Sequence, residues 1–385
     1  MISYEDIKNA IETLPKCEVE KMMEKMFSER CESEKKCLDE LLSQNDSVFI
    51  AGHVEPDMDA VGAALGMALI CKKNKKKNVY IVIDDNVEKI EATARTALKS
   101  LKGEFNIIKA SQIKDYVTKK SLLIGVDVNG KSRIGAKGHL DKFNDFMIID
   151  HHSKSYDAIE TEHTFIDDKL ISSACEEVSR LLLAYKVKLE PTYANYIVAG
   201  IYLDSKNTTR NTTTFTHRVI TDLCERGADT NTAAGLFIED YEKNRTWNGI
   251  IDNAKFQAYK FVFVYDKEGS GNYFKAEDLA KAAEYSLSFG VMASFAIGYS
   301  DEETIRVCAR CFPPLNVDKI MKAAFGLKNG GKEFAAVADV KGMTIQEVID
   351  KISAILMPTA NIEYVIIEKE QEMQLKMGKN VETSQ

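Results

Sequence analysis

From Ser47 to Ile149, short apolar runs alternate with amphipathic stretches, and this alternation restricts the fold more than any other feature of the chain. The runs are SVFIA (47–51), NVYIVI (78–83), SLLIGV (121–126) and FMII (146–149), with AVGAALGMALICKK and VEKIEATARTALKSL between them. Strands alternating with helices imply a mostly parallel sheet covered on both faces. The expected fold class is therefore α/β. A second, smaller α/β unit begins near Phe256 with YKFVFVYD and continues through FGVMASFAIGYS and TIRVCARCF.

In parallel sheets ligands bind beyond the carboxyl ends of the strands, and polar residues gather there. The first run leads into GHVEPDMDAVGA, which carries His53, Asp57 and Asp59; the third ends at Asp127; the fourth ends in Asp150-His151-His152; and the helical pattern TYANYIVAGIYL delivers Asp204. A single acid after a strand is more often a turn residue than a ligand. Several on one rim repel one another and call for a countercharge, which a divalent cation supplies. His nitrogen with carboxylate oxygen and no thiolate suits manganese or a similar borderline ion better than structural zinc. Two ions sharing a carboxylate would form the two-metal arrangement that attacks phosphorus in line. The pattern alone leaves a dinuclear phosphoesterase and a set of ordinary strand-end loops equally open.

A chain of 385 residues accommodates two domains, each with its own core. Its net charge of -8 argues against a surface built to coat long nucleic acid, but leaves room for a short nucleotide in a local cleft. The basic run Lys72–Lys77 reads as a solvated helix end or loop. Eight scattered cysteines, with one CxxC (Cys308 and Cys311) on a strand pattern that would turn them to opposite faces, read as reduced thiols of a cytoplasmic protein. Neither a signal-peptide pattern nor a membrane-length apolar run occurs. The organisation expected is a helical lead-in over 1–45, a metal-binding domain over 46–226, a helical linker over 227–250, a second domain over 251–365 and a frayed tail over 366–385. The pattern of 1–45 suits packing onto the sheet and homodimerisation equally.

GHVEPDMDAVGA, the isolated Asp127, IIDHH and GIYLDSKN occur in that order at fitting intervals, and together they resemble the four motifs of the DHH phosphoesterase family. That family includes RecJ-like exonucleases, nanoRNase/pAp phosphatases, inorganic pyrophosphatases and cyclic-di-AMP phosphodiesterases. The wording PDMDA, VDVN and DSKNTTRNTTTF is most similar to the DHH module of the cyclic-di-AMP enzymes, without their membrane, PAS and GGDEF parts. The resemblance implies two manganese ions, or other divalent ions: one on His53, Asp57 and Asp127, the other on Asp59, Asp127, His151 and Asp204. Asp127 would bridge them, and His152 would orient the site or contact the phosphate. In the second domain, CARCFPPLNVDKIM and NGGKEFAAVADVKGMT resemble the DHH-associated domain, which implies substrate contacts from Arg310, Gly330, Gly331 and Lys332.

Two departures bear on the substrate. The family's last loop usually ends its glycines with His, where this chain has Lys332, a charged donor that cannot accept a hydrogen bond from a base. A second Arg usual before the Thr-Phe pair is replaced by a threonine run, which leaves Arg210 as the candidate. The expected activity is hydrolysis of cyclic-di-AMP to pApA. The alternatives are hydrolysis of pApA or short oligonucleotides, and a non-catalytic nucleotide sensor on the same scaffold.

Overall fold

The computed structural model describes residues 7, 10, 13–76, 78–167, 170–237, 249–258, 260–326 and 330–356. Part of the expected linker (238–248), Asn329 of the glycine loop and the tail expected over 366–385 lie outside the described residues. The chain divides into two compact units, Met1–Ile238 and Glu239–Gln385.

In the first unit, β1 (Ser47–Ala51), β2 (Asn78–Ile83), β3 (Asn106–Lys109), β4 (Ser121–Val126), β5 (Asp145–Asp150) and β6 (Thr164–Ile166) form one sheet in the order β3-β2-β1-β4-β5-β6. Every neighbouring pair is parallel. All residues of β1 and β4 are buried, as the uninterrupted apolar runs require. Alternate side chains serve opposite cores: Val48 and Ile50 pack with Leu122 and Ile124, whereas Phe49 and Ala51 pack with Leu123 and Ile148.

The first core is covered by α1 (Lys16–Gln44), α2 (Met58–Lys73), α3 (Ala92–Leu101), α4 (Ala174–Ala184), α5 (Pro191–Ser205) and α6 (Thr214–Glu225). The second lies under a short helix, Ile113–Tyr116, and loops bearing Val128, Ile134 and Phe143. The chain travels outward from β1 to β3, then returns to lay β4 on the other flank of β1. That reversal opens a crevice between the carboxyl ends of β1 and β4.

The lead-in helix α1 packs on its own unit through buried charge. Arg30 Nε donates to Glu34 Oε1 (3.1 Å) and Glu177 Oε1 (2.6 Å), and Arg180 Nη1 donates to Glu177 Oε2 (3.0 Å). Leu38, Leu41 and Leu42 join the core beside these pairs.

In the second unit, β7 (Ala254–Gln257), β8 (Phe261–Tyr265), β9 (Ala293–Tyr299), β10 (Thr304–Cys311), β11 (Gly330–Lys332) and β12 (Ala335–Lys341) form a mixed sheet in the order β11-β12-β10-β9-β8-β7. Only β8 and β9 pair in parallel. α7 (Ala276–Ser286) covers one face, and α8 (Val317–Phe325) with α9 (Ile345–Leu356) covers the other. Cys308 and Cys311 enter these two separate cores, so the CxxC spacing does not bring its sulfurs together. Among the described residues no helix is long and apolar enough to cross a membrane.

Candidate metal centre

Register alone carries the first residues to one place. Ala51 pairs with Gly125 across β1 and β4, so His53 and Asp127 each stand two residues beyond that pair. Val126 pairs with Ile149 across β4 and β5, which sets Asp127 beside Asp150 and His151. Asp127 turns out of its strand with φ of 58°, in the left-handed region that a non-glycine residue adopts at some cost. Its N–H remains bonded to the Ile149 carbonyl at 2.9 Å.

Asp57 is the N-cap of α2: its Oδ1 accepts the N–H groups of Asp59 (3.0 Å) and Ala60 (3.2 Å). Its other oxygen, Oδ2, lies 3.7 Å from His53 Nε2, which is also 3.4 Å from Asp127 Oδ2. His53 Nδ1 lies 2.7 Å from the Val54 carbonyl and donates to it. In the uncharged ring that a cation would bind, this bond fixes the tautomer and leaves a lone pair on Nε2.

Asp59, fully buried, accepts the N–H of Ala174 at Oδ2 (2.7 Å) and of Cys175 at Oδ1 (2.8 Å). These are orphan donors at the start of α4, where a carboxylate is favoured. His151 Nε2 lies 2.8 Å from Asp204 Oδ2, 3.2 Å from Asp127 Oδ1 and 3.8 Å from Asp59 Oδ2. Asp204 arrives from the last turn of α5, just before a chain reversal in which Lys206, Asn207 and Thr208 have positive φ.

Two main sets of donor atoms thus form, His53 with Asp57 and Asp127, and Asp59 with Asp127, His151 and Asp204, and His152 joins Asp127 and His151 in a third grouping that overlaps the second. Within each set one atom per residue lies within 4.8 Å of the others. Asp127 belongs to both main sets. His151 Nε2 and Asp127 Oδ1 are buried without a hydrogen-bond partner despite their proximity, because their approach is not that of a donor aimed at an acceptor. Buried polar atoms that converge without bonding one another fit a shared cation.

The field of the site agrees. Burial disfavours charge on His53, yet the nearby carboxylates of Asp127 and Asp57 outweigh it and hold the imidazole up at about 11. Burial is likewise overcome at His151 by Asp127 and Asp204, again to about 11. Burial pushes Asp127 upward, but His151, His152 and His53 hold it well below the usual carboxylate range. Burial, then Asp127 and Asp204, push Asp59 well above that range. Such a cluster of carboxylates favours cations.

His152 differs from His151. Its Nδ1 lies 2.9 Å from Asp150 Oδ1, its side chain is 46% exposed, and its distance to Asp127 Oδ1 is 3.4 Å. Asp127 and Asp150 raise it to about 9. Asp150 accepts from Asn129 Nδ2 at its other oxygen (2.5 Å), and Asn129 also binds Ser153 and Ser155. The first turn of α4 is a support that motif reading passes over, and Asn129, the last residue of VDVN, gains its role only from these contacts. Ser173-x-x-Glu176 is the sequence signal that marks the α4 start.

Arg210 follows Asp204 in the reversal, its N–H bonded to the Ser205 carbonyl (2.9 Å). In the second unit Arg310, on β10, donates from Nε to Glu284 Oε2 (3.1 Å) and from Nη1 to the Ala309 carbonyl (2.9 Å). Gly330, Gly331 and Lys332 form β11, and the side chain of Lys332 lies outside what is described. The Gly331 N–H is taken by Asp318 Oδ1 (2.7 Å), and a Cβ there would stand 2.5 Å from the Ala335 carbonyl. Hairpin packing therefore demands glycine at this position whatever else the loop does.

Residues 47–201 match the model of the DHH family, N-terminal domain. The segment belongs to the DHH family. The chain is 30% identical to the cyclic-di-AMP phosphodiesterase GdpP of Geobacillus thermodenitrificans over 84% of its own length and 49% of that protein. It is 31% identical to the bifunctional oligoribonuclease and PAP phosphatase NrnA of Mycoplasma genitalium over 43% of its length and 48% of that protein. The chain thus spans about half the length of these curated relatives. An exopolyphosphatase-related protein from Bacteroides fragilis shares the fold with a TM-score of 0.67 at 19% identity, covering 86% of this chain and 98% of that one.

Proposed function

We propose that this DHH-family chain is a metal-dependent phosphodiesterase that hydrolyses cyclic-di-AMP to pApA. The observation that carries the reading is the pair of donor sets joined through Asp127. Its support from relatives is the likeness to the cyclic-di-AMP phosphodiesterase over most of the chain. His53, Asp57 and Asp127 would hold one divalent ion, and Asp59, Asp127, His151 and Asp204 the other. Manganese or a similar ion bound there would act as a Lewis acid on phosphoryl oxygen and lower the pKa of water.

The chain's own residues set the geometry. Val54 and the α4 amides orient His53 and Asp59, so little rearrangement accompanies binding. We assign to His152, steered by Asp150 and half-exposed, a hydrogen bond donated to a non-bridging phosphate oxygen. We assign the substrate grip to Arg310, Gly330, Gly331 and Lys332 of the second unit, with Arg210 of the first. Arg310 would exchange Glu284 for a phosphate, to which a guanidinium bonds in bidentate fashion.

Hydrolysis of pApA or short oligonucleotides is the second reading, favoured by the likeness to the oligoribonuclease and by Lys332 in place of a base-reading His. Incubation with cyclic-di-AMP, pApA and short RNA, in manganese, magnesium and no metal, with product analysis, separates the two. The expected result is manganese-dependent conversion of the cyclic dinucleotide to pApA. Rapid loss of pApA while the cyclic dinucleotide persists overturns the substrate assignment, and binding without turnover of any of them supports a sensor instead.

A further inference from the structure

We propose that a cavity of about 440 Å³ between α3 and the carboxyl ends of β2 and β3 is a second ligand site, for an organic phosphate of mononucleotide size. Its walls follow from two periodicities. Arg95, Leu98 and Lys99 fall at i, i+3 and i+4 and so share one face of α3, and Lys102, the extended residue that caps the helix, also lines the cavity. Across from them, Ile83 pairs with Lys109 in the sheet, and Ile107, two residues before Lys109, lies on the same face. Val87 and Ile90, in the segment that leads from β2 to α3, complete an aliphatic floor.

The rim is cationic in a chain whose net charge is -8. Arg95, Lys99, Lys102 and Lys109 line the cavity, and no carboxylate does. Arg95 is paired with Glu88 (2.7 Å), but among the described residues Lys99, Lys102 and Lys109 have no ion pair. Three ammonium groups without an ion pair, of which Lys109 is also attracted by the nearby Asp85 carboxylate, stand around an apolar floor and fit a ligand with an apolar ring or chain at one end and a phosphate at the other. The volume lies within the ~300–1,000 Å³ usual for small-molecule sites. The one uncharged polar side chain in the lining, Gln112, already accepts the Lys109 N–H at Oε1 (2.9 Å). Recognition therefore rests chiefly on shape and charge, with the Gln112 amide N–H groups as the uncharged side-chain donors in the lining. The site is independent of the donor sets around Asp127 and shares no residue with them.

The test is equilibrium binding of the N-methylanthraniloyl ester of AMP to the full chain in excess EDTA, which removes metal-mediated binding at the other site. AMP and UMP should displace the probe with similar affinity, whereas adenosine and inorganic phosphate alone should compete at least about tenfold more weakly. The double variant Lys99→Glu/Lys102→Glu, at exposed positions in the last turn and C-cap of α3, should weaken the probe at least about tenfold. Lys109→Glu, on the facing strand, should do so separately. All three proteins should hydrolyse bis(p-nitrophenyl) phosphate in manganese within about twofold of one another. Unchanged affinity in either variant, phosphate competing as well as AMP, or no saturable binding overturns the site. Absence of hydrolysis in every protein counts against the reading of the metal centre and leaves this site standing.

Discussion

Asp59 and Cys175 hold each other at two points: the Cys175 N–H donates to Asp59 Oδ1 at 2.8 Å, and Cys175 Sγ donates to the Asp59 carbonyl at 3.3 Å. The start of α2 and the start of α4 are thereby fastened together at the floor of the donor cluster. α5 closes the same junction, because Gly62 and Gly200 leave no side chain between the helices. A Cβ at Gly200 would lie 2.3 Å from Cys175 Sγ and 3.0 Å from the Asp59 Cα.

Gly200→Ala should accordingly destabilise the chain by ~1–3 kcal/mol, since backbone as well as sulfur must give way. Thermal melting in EDTA reads the loss of stability, and manganese titration should show weaker binding as Asp59 shifts. An unchanged melt would mean that the junction is looser than the distances indicate.

Asp127→Ala removes the carboxylate common to both donor sets. Elemental analysis after dialysis should find manganese occupancy lost, with phosphodiesterase activity falling by ~10³-fold or more. Hydrolysis at the parent rate would refute the shared-carboxylate centre.

Asn129→Ala frees Asp150, and through it His152, while leaving both donor sets in place. The expected outcome is kcat lower by ~10–100-fold with manganese content unchanged. Loss of the metal along with the rate would make Asn129 a structural support of the whole rim.

Arg310→Ala should raise KM for the cyclic dinucleotide much more than it lowers kcat, with Arg310→Lys in between because an ammonium lacks the bidentate fork. Equal KM in all three proteins would leave Arg310 with no part beyond its pair with Glu284.

A pH dependence follows from the α1–α4 charge cluster. Burial pushes Glu177 upward, but Arg30 and Arg180 outweigh it and hold the carboxyl down at about 2, below its ordinary 4.5. A depressed carboxyl contributes stability that is present above the unfolded value and lost as pH falls toward the folded one. Glu177→Gln should therefore melt lower than the parent at pH 7, and the gap should narrow between pH 4.5 and 2. A gap that stays constant through that window would remove Glu177 from the acid response.

The donor cluster was legible because each member follows an apolar run, and parallel register brings such positions abreast. β3 and β6 were not read, since four- and three-residue edge strands carry too little periodicity to register. The hold of Ala174 and Cys175 on Asp59 joins positions more than 100 residues apart, so no local pattern could announce the contact. The pairing of Arg310 with Glu284 escaped for the same reason: charge type shows in a sequence, but the choice of partner does not. Over 1–45 the sequence shows an amphipathic face but not what covers it. Arg30 and Glu34 facing Glu177 answer for packing.

That answer separates the span that defines the family from the span that folds. The matched segment opens at residue 47, after α1 has ended. A truncated chain starting there would keep every proposed ligand yet strip Arg30 from the buried Glu177 and uncover the apolar seat of Leu38, Leu41 and Leu42. The module boundary for recombinant work on relatives of this kind therefore lies upstream of the motif boundary, by the length of one helix.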